Sequence, residues 1–128
     1  MKAAPQVLVI DDDAQVLGLF TRVLSRAGYA VISTTSGSEG MALLQRQSFD
    51  AVVLDLSMPR PDGFEILKAA RRHDPTLKIV VVSGVMEGVL LKAAILFGAT
   101  AALAKPVEPE VLLETLATVL HEGALAAR

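Results

Sequence analysis

The feature that most constrains the fold of this chain is the regular alternation of short apolar runs with longer amphipathic segments. Five such runs lie at residues 7–10, 29–33, 51–54, 79–82 and 101–104, and most of them are continuously apolar. Short continuous apolar runs are typical of strands that are covered on both faces of a sheet. Because helix-length segments lie between them, each crossover returns the chain to the same end of the sheet, and the pattern predicts parallel strands.

Three segments that adjoin the apolar runs carry explicit helix signals. An apolar stripe that includes Val16, Phe20 and Leu24 is followed by Gly28, a residue that commonly ends helices. Asp62 and Glu65 have the spacing of a capping box, which predicts a helix start. After Pro106, a last apolar stripe is formed by Leu112, Leu116, Val119 and Leu120.

Length and composition indicate one globular domain. The chain has 128 residues, of which 52% are hydrophobic and 20% charged, so we expect residues 1–128 to form a single domain with no output domain in this chain. There is no cysteine, which excludes disulfides and thiolate metal sites and is consistent with a cytoplasmic location.

The charge and the hydropathy pattern argue against two classes of partner. No apolar stretch reaches the ~18 residues that a membrane span requires. The net charge of −2 gives no electrostatic footprint for direct nucleic acid binding. A loose group of basic residues is interpreted as a solvated helix face: Arg60, Lys68, Arg71 and Arg72.

Polar residues follow four of the apolar runs. Asp11, Asp12 and Asp13 follow the first run, Asp55 the third, Ser83 the fourth and Lys105 the fifth. Because parallel strands end at one edge of a sheet, we expect these side chains to share one crevice. Helix capping accounts for one acid, such as Asp13.

The remaining acids predict a cation. Two carboxylates facing Asp55 at ~4 Å would each repel it by about 4 kcal/mol at an effective dielectric near 20. Oxygen ligands without His or Cys favour a hard ion such as Mg²⁺. A metal on one side of Asp55, with Lys105 and Ser83 on the other, would form a clamp for a phosphoryl group attached to that carboxylate.

Five motifs near the predicted strand ends are specific. They are IDDD at 10–13, LDLSMPRPDG at 54–63, VVSG at 81–84, FGA at 97–99 and AKP at 104–106. Over essentially its whole length the chain resembles the receiver domains of two-component response regulators. The resemblance implies an α/β, flavodoxin-like (βα)5 three-layer sandwich whose parallel five-stranded sheet has the order 2-1-3-4-5, and a cis peptide before Pro106.

The resemblance also implies roles for individual residues. Asp11 and Asp12 match the acidic pair that holds Mg²⁺, with Asp12 the direct ligand and Asp11 acting largely through water. Asp55 matches the phosphorylated aspartate and a further metal ligand. The backbone carbonyl of Ser57 completes the metal shell. Ser83 and Lys105 match the residues that contact the phosphoryl group.

The implied function is signalling rather than turnover of a substrate. Asp55 would accept a phosphoryl group from a phosphohistidine on a histidine kinase or phosphotransfer protein, or from a small acyl phosphate. The chain would catalyse only its own phosphorylation and dephosphorylation. The modification would remodel the face formed by the fourth helix, fifth strand and fifth helix, which binds a downstream effector or a second copy.

The sequence departs from the family pattern at three positions. Ala102 stands where Tyr or Phe completes the usual switch, Pro61 replaces the usual Met, and Val107 stands where Phe often follows Lys-Pro. The fourth helix is also unusually apolar, so we expect some of its surface to remain exposed, although a fully buried helix is an equal alternative.

Two other functions compete with this interpretation. The Asp11-x-Asp13 spacing imitates the nucleophile motif of haloacid dehalogenase-type phosphatases, but Gln15 stands where that family has Thr or Val. A receiver fold used only as a non-phosphorylated interaction module is the second alternative. Binding of a flavodoxin-type cofactor is disfavoured because three aspartates would repel the phosphate of that cofactor. Dinucleotide binding is disfavoured because no G-x-G-x-x-G motif follows the first run.

Overall fold

The computed structural model describes residues 3–84 and 88–126, in which five strands alternate with five helices. The strands are β1 (Gln6–Ile10), β2 (Ala30–Thr34), β3 (Ala51–Asp55), β4 (Lys78–Ser83) and β5 (Ala101–Ala104). The helices are α1 (Ala14–Arg26), α2 (Gly37–Arg46), α3 (Gly63–His73), α4 (Gly88–Leu96) and α5 (Pro109–Ala126). Within the described residues, none of these helices combines the length and hydropathy needed to cross a bilayer.

The strands form one parallel sheet in the order β2-β1-β3-β4-β5, which confirms the predicted flavodoxin-like topology. The registers align the carboxyl ends of neighbouring strands. Ile10 lies opposite Leu54, Asp55 opposite Val82, and Ser83 opposite Ala104. Residues that follow these strands are therefore gathered at one edge of the sheet.

Helices cover both faces of the sheet, so alternate residues of each strand enter different cores. In β1, Leu8 and Ile10 join the cluster beneath α2, α3 and α4, whereas Val7 and Val9 join the cluster beneath α1 and α5. All four are fully buried. This double burial explains why the central strands are continuously apolar and not alternating.

The helix ends largely follow the predicted signals. Asp62 and Glu65 form a complete capping box at the start of α3. Gly28 follows α1 with φ +100°, and the amide of Tyr29 donates to the carbonyl of Leu24, which closes a Schellman motif. The second strand covers Ala30–Thr34 and not the expected 29–33, because Tyr29 belongs to the end of this helix.

Two expectations about the surface have opposite outcomes. The apolar helix α4 is exposed over part of its length, as expected, with Val89 and Leu96 81% and 87% exposed. The interpretation of all four basic residues as a solvated face is wrong for Arg71. Its guanidinium is partly buried and donates to backbone carbonyls, including those of Leu77 and Gly98.

Candidate functional site

Two carboxylates are buried at the carboxyl edge of the sheet. Asp11 directly follows β1 and Asp55 ends β3, and their residues are only 1% and 2% exposed. Buried charges need donors or a counterion to replace lost hydration. Asp11 Oδ1 accepts from the amide of Asp13 at 2.9 Å, and Asp55 Oδ1 accepts from the amide of Ser57 at 3.0 Å. Each carboxylate thus has one oxygen held by the backbone.

Lys105 supplies the counterion for the other oxygens. Its Nζ lies 3.1 Å from Asp11 Oδ2 and 3.5 Å from Asp55 Oδ2. The main chain of the same residue is fixed, because its amide donates to the carbonyl of Ser83 at 2.6 Å. The Lys105–Pro106 peptide is cis, as expected. The ammonium is therefore delivered to both carboxylates by the residue that follows β5.

The proton affinities of these groups reflect their crowding. Burial raises the pKa of Asp55 to about 6; the hydrogen bond from Ser57 opposes this, and the charge of Asp11 adds to it. Burial acts to lower the pKa of Lys105, but its contacts with Asp11 and then Asp55 outweigh burial, and the pKa is raised. The pocket thus carries an unfavourable excess of negative charge that a single lysine does not remove.

The acids can be divided by what they contact. Asp13 is the N-cap of α1, and its side chain accepts from the amides of Gln15 and Val16. Asp12 is exposed beside the buried pair. Carboxylate oxygens of Asp11, Asp12 and Asp55 lie within 4.8 Å of one another. The predicted division into one capping acid and a convergent acidic group is therefore seen in the geometry.

The acidic group fits a hard divalent cation. Its donors are carboxylate oxygens, which suit Mg²⁺. Asp11 Oδ2 is buried and, despite its proximity to Lys105, accepts no hydrogen bond of suitable geometry. This oxygen retains capacity for a further positive partner. Ser57, two residues after Asp55, is exposed at the same edge.

The remaining candidate residues lie where the strand order predicts. Ser83 is fully buried at the end of β4, next to the strand that carries Asp55. Ala102 lies in the middle of β5, where it is partly buried against the core cluster beneath α2, α3 and α4. A large aromatic side chain is thus absent from this part of the sheet.

Two residues that shape the site were not singled out from the sequence. A Cβ atom on Gly63 would collide with the backbone of Leu56 and with the carbonyl of Asp55, so glycine lets α3 start directly against the phosphoacceptor candidate. Thr34 is buried at the end of β2, and its carbonyl accepts from the amide of Asp11 at 3.2 Å. Its position as the last residue of an edge strand, at the same edge of the sheet as Asp11, was the available signal.

Comparison with known proteins gives consistent results. Residues 7–117 match the family model of the response regulator receiver domain. The transcriptional regulatory protein AfsQ1 of Streptomyces coelicolor is 33% identical over 119 residues, which are 93% of this chain and 52% of that protein. The alginate biosynthesis transcriptional regulatory protein AlgB of Pseudomonas putida is 32% identical over 123 residues, 96% of this chain and 28% of that protein.

Solved structures of the same architecture superpose closely. A CheY-like receiver domain protein from Methanospirillum hungatei has a TM-score of 0.86 at 29% identity, covering 96% of this chain and 98% of that one. The chemotaxis protein CheY4 of Vibrio cholerae has a TM-score of 0.85 at 33% identity, covering 91% and 99%. This chain spans about half of AfsQ1 and about a quarter of AlgB. With the family model matched over 7–117 and the strand order reproduced, the chain belongs to the response regulator receiver domain family.

Proposed function

We propose that this receiver domain accepts a phosphoryl group on Asp55 in a Mg²⁺-dependent reaction and releases it by hydrolysis. The observation that carries the proposal is the convergence of Asp11, Asp12 and Asp55, with Lys105 Nζ 3.1 Å and 3.5 Å from two of them. Burying several carboxylates together destabilises the fold. With Mg²⁺ on one side and Lys105 on the other, however, the same pocket could hold an added anionic phosphoryl group.

In the proposed reaction a carboxylate oxygen of Asp55 attacks the phosphorus of a phosphohistidine. The bond from phosphorus to the imidazole nitrogen breaks as the acyl phosphate bond forms. The product carries about −1.5 to −2 charges in place of one. Lys105, already in contact with this carboxylate, balances part of that increase. The hydroxyl of Ser83 is proposed to donate to the phosphoryl oxygens.

Asp11, Asp12, Asp55 and the carbonyl of Ser57 are the proposed holders of Mg²⁺. The ion would supply charge neutralisation for the phosphoryl oxygens. The residues of the chain do the positioning: the amide of Ser57 fixes Asp55 Oδ1 at 3.0 Å, and the amide of Asp13 fixes Asp11 Oδ1 at 2.9 Å. This arrangement keeps the reacting carboxylate in one orientation.

The central experiment measures covalent labelling. The protein is incubated with Mg²⁺ and acetyl phosphate, and intact mass spectrometry should show one added phosphoryl group. Asp55→Asn should abolish the label, and EDTA should suppress it in the unmodified sequence. A label that persists in Asp55→Asn, or that is equal with and without metal, would refute the proposal.

Asp50→Asn is a matched control for that experiment. Asp50 is exposed at the opposite end of β3, where its Oδ2 accepts from the amide of Gln6 at 2.7 Å. The substitution removes a carboxylate from the same strand region without touching the acidic group. Labelling of this variant should equal that of the unmodified sequence. The phosphatase alternative predicts instead that Asp11→Asn, and not Asp55→Asn, abolishes turnover of a phosphomonoester.

The phosphodonor is proposed to be a histidine kinase or phosphotransfer protein in the cytoplasm. Beside Lys105 lies an apolar depression of about 320 Å³, lined by Val16, Leu19, Phe20, Lys105, Pro106 and Val107. Leu19 is 40% exposed within it. An apolar surface adjoining the phosphoacceptor suits a protein donor, because it allows the donor histidine to be held close to Asp55.

The output is proposed to pass through the face formed by α4, β5 and α5, to an effector or a second copy of the chain. Val89, Leu96 and Val111 on this face are 81%, 87% and 45% exposed. Leu96→Gln should leave the stability unchanged within about 0.5 kcal/mol. It should weaken any phosphorylation-dependent self-association, measured by sedimentation velocity; unchanged self-association would exclude Leu96 from the interface between two copies.

A further inference from the structure

Arg71 makes a set of hydrogen bonds that its place in a run of basic residues does not suggest. Its Nε and Nη2 donate to the carbonyl of Gly98 at 3.0 Å and 2.6 Å. Its Nη1 lies 3.3 Å, 2.9 Å and 2.7 Å from the carbonyls of Asp74, Pro75 and Leu77. One side chain of α3 thereby joins the α3–β4 loop to the turn between α4 and β5.

Gly98 is shaped to accept this contact. Its φ is +107°, a conformation that favours glycine, and a Cβ there would lie 3.1 Å from Cγ and Nε of Arg71. The amides around it are all engaged: Gly98 donates to Ile95, Ala99 to Ala94, and Thr100 to Ile79. The carboxyl end of α4 is therefore tied both to its own last turn and to α3.

Aromatic contacts strengthen the same end of α4. Phe97 meets Phe64 of α3 edge to face, with ring centroids 6.0 Å apart. Lys68 Nζ lies 5.2 Å from the centroid of the Phe97 ring. Ala94 and Ala99 are buried at this end. These contacts tie the turn after α4 to α3, although Leu96 and Phe97 remain 87% and 50% exposed.

The two ends of α4 are similarly exposed, with Val89 at the amino end 81% and Leu96 at the carboxyl end 87% exposed, but among the described residues the ties to α3 lie at Phe97 and Gly98, next to the carboxyl end. Gly88, Val89 and Leu90 are all exposed, and a Cβ on Gly88 would meet nothing within 4 Å. This end follows closely after Ser83, the candidate phosphoryl contact at the end of β4. Within the part of the chain that the structure describes, the helix is therefore tied to α3 through the turn at its carboxyl end, whereas its amino end lies on the side of Ser83 without a comparable tie to α3.

We propose that Arg71 is a fulcrum: it fixes the Gly98 turn so that phosphorylation moves the amino-terminal turn of α4 while the carboxyl end stays in place. The proposal rests on the proposed phosphorylation of Asp55. Motion of this kind would reposition Val89, which is 81% exposed, relative to β5 and α5. It requires no aromatic residue at Ala102, so it offers an output route for a chain without one.

The test uses amide hydrogen exchange on the full chain before and after phosphorylation with Mg²⁺ and acetyl phosphate. The variants are Arg71→Ala and Arg71→Lys, which keeps the charge but loses the planar fork. Arg72→Ala is the matched control, because Arg72 is the exposed neighbour on the same helix. A thermal melt of each variant tests whether it folds. If Arg71→Ala does not fold, Arg71→Lys takes its place in the comparison with Arg72→Ala.

Before phosphorylation, the amides of Gly98, Ala99 and Thr100 should exchange about tenfold faster in Arg71→Ala than in Arg72→Ala. Arg71→Lys should be intermediate. Equal exchange of these amides in Arg71→Ala and Arg72→Ala would show that Arg71 does not fix the Gly98 turn. This comparison does not depend on phosphorylation, so it separates failure of the fulcrum from failure of the proposed function.

Phosphorylation of the unmodified sequence should change the exchange of amides 92 and 93, whose helical acceptors lie in the first turn of α4, by about fivefold or more. Amides 98–100 should change by less than about twofold. In Arg71→Lys the change should extend to 98–100, while the rate of labelling at Asp55 stays the same. Equal changes at both ends of α4 in the unmodified sequence would overturn the proposal.

Discussion

The ammonium nitrogen of Lys105 lies 3.1 Å from Oδ2 of Asp11, a buried carboxylate oxygen that lacks a well-formed hydrogen bond. The contact links the residue after β5 to the residue after β1, two strands that are not neighbours in the sheet. Between them lies Asp55, which Lys105 also approaches. The lysine is therefore the main internal counterion of the pocket, and its loss has a defined consequence.

Lys105→Gln should destabilise the metal-free protein by about 1–3 kcal/mol, because two buried carboxylates lose their nearest cation. The lysine side chain is 25% exposed, which keeps the expected loss below that of a fully buried pair. Urea denaturation in EDTA measures the effect. Lys92→Gln, at an exposed position of α4, should change stability by less than about 0.5 kcal/mol. Equal effects of the two substitutions would contradict the role of Lys105.

Asp55→Asn should stabilise the metal-free protein at pH 8 by an amount on the order of 2 kcal/mol. The reason is that burial, with the charge of Asp11, raises the pKa of Asp55 to about 6. The folded protein then binds more protons at Asp55 than the unfolded chain does between the ordinary carboxyl pKa and pH 6. Its stability relative to the variant should fall as pH rises through this window.

Urea melts of both proteins in EDTA at several pH values provide the measurement. The difference in unfolding free energy should be small below pH 4 and constant above about pH 7. A difference that does not depend on pH would show that burial of Asp55 imposes no such cost. Adding Mg²⁺ at pH 8 should reduce the difference in unfolding free energy between the two proteins, since a bound cation stabilises the folded form of the unmodified sequence.

Asp12→Asn and Asp13→Asn should separate the proposed metal ligand from the helix cap. Each substitution removes one carboxylate, and asparagine preserves the capping function at residue 13. Asp12→Asn should weaken Mg²⁺ affinity by about tenfold or more, whereas Asp13→Asn should weaken it by less than about threefold. The rise in melting temperature with Mg²⁺ concentration reports both values. Similar losses in the two variants would indicate a general charge effect.

Gly63→Ala should cost about 2–4 kcal/mol of stability, because the new methyl group would collide with the backbone of Leu56 and Asp55. The start of α3 would have to shift away from β3. Gly18→Ala is the control: it lies within α1 with nothing within 4 Å of the new Cβ, and should stabilise by about 0.5–1 kcal/mol. Urea denaturation should show a lower free energy of unfolding for Gly63→Ala and a higher one for Gly18→Ala.

The site was predictable from the sequence because its residues are set by strand ends. Once the apolar runs are read as parallel strands, Asp11, Asp55, Ser83 and Lys105 must share an edge, and the geometry agrees. The assignment of Asp13 to the cap of α1 also follows from local chemistry. Local signals of this kind need no knowledge of distant contacts.

The features that the sequence pattern did not predict depend on backbone contacts that hydropathy and residue type do not specify. Arg71 looks like a member of a solvated basic run, but its acceptors lie in the α3–β4 loop and in the α4–β5 turn. Gly63 looks like part of an ordinary turn, yet it is required by the backbone of β3. Tyr29 has strand propensity, but its amide closes the end of α1. A tertiary hydrogen bond overrides the local pattern at Arg71 and a close backbone approach does so at Gly63, whereas Tyr29 is claimed by the local hydrogen bonds that end α1.

The hydrogen bond from the amide of Lys105 to the carbonyl of Ser83 continues the pairing of β4 with β5 up to the residue that carries the ammonium. The position of the ammonium group is therefore set by main-chain pairing between β4 and β5 and not by the packing of nearby helices. Substitutions of outward-facing side chains on α4 and α5 should therefore leave the ammonium in place beside Asp11 and Asp55. A one-residue insertion within β5 would instead shift its register against β4 and misplace the lysine.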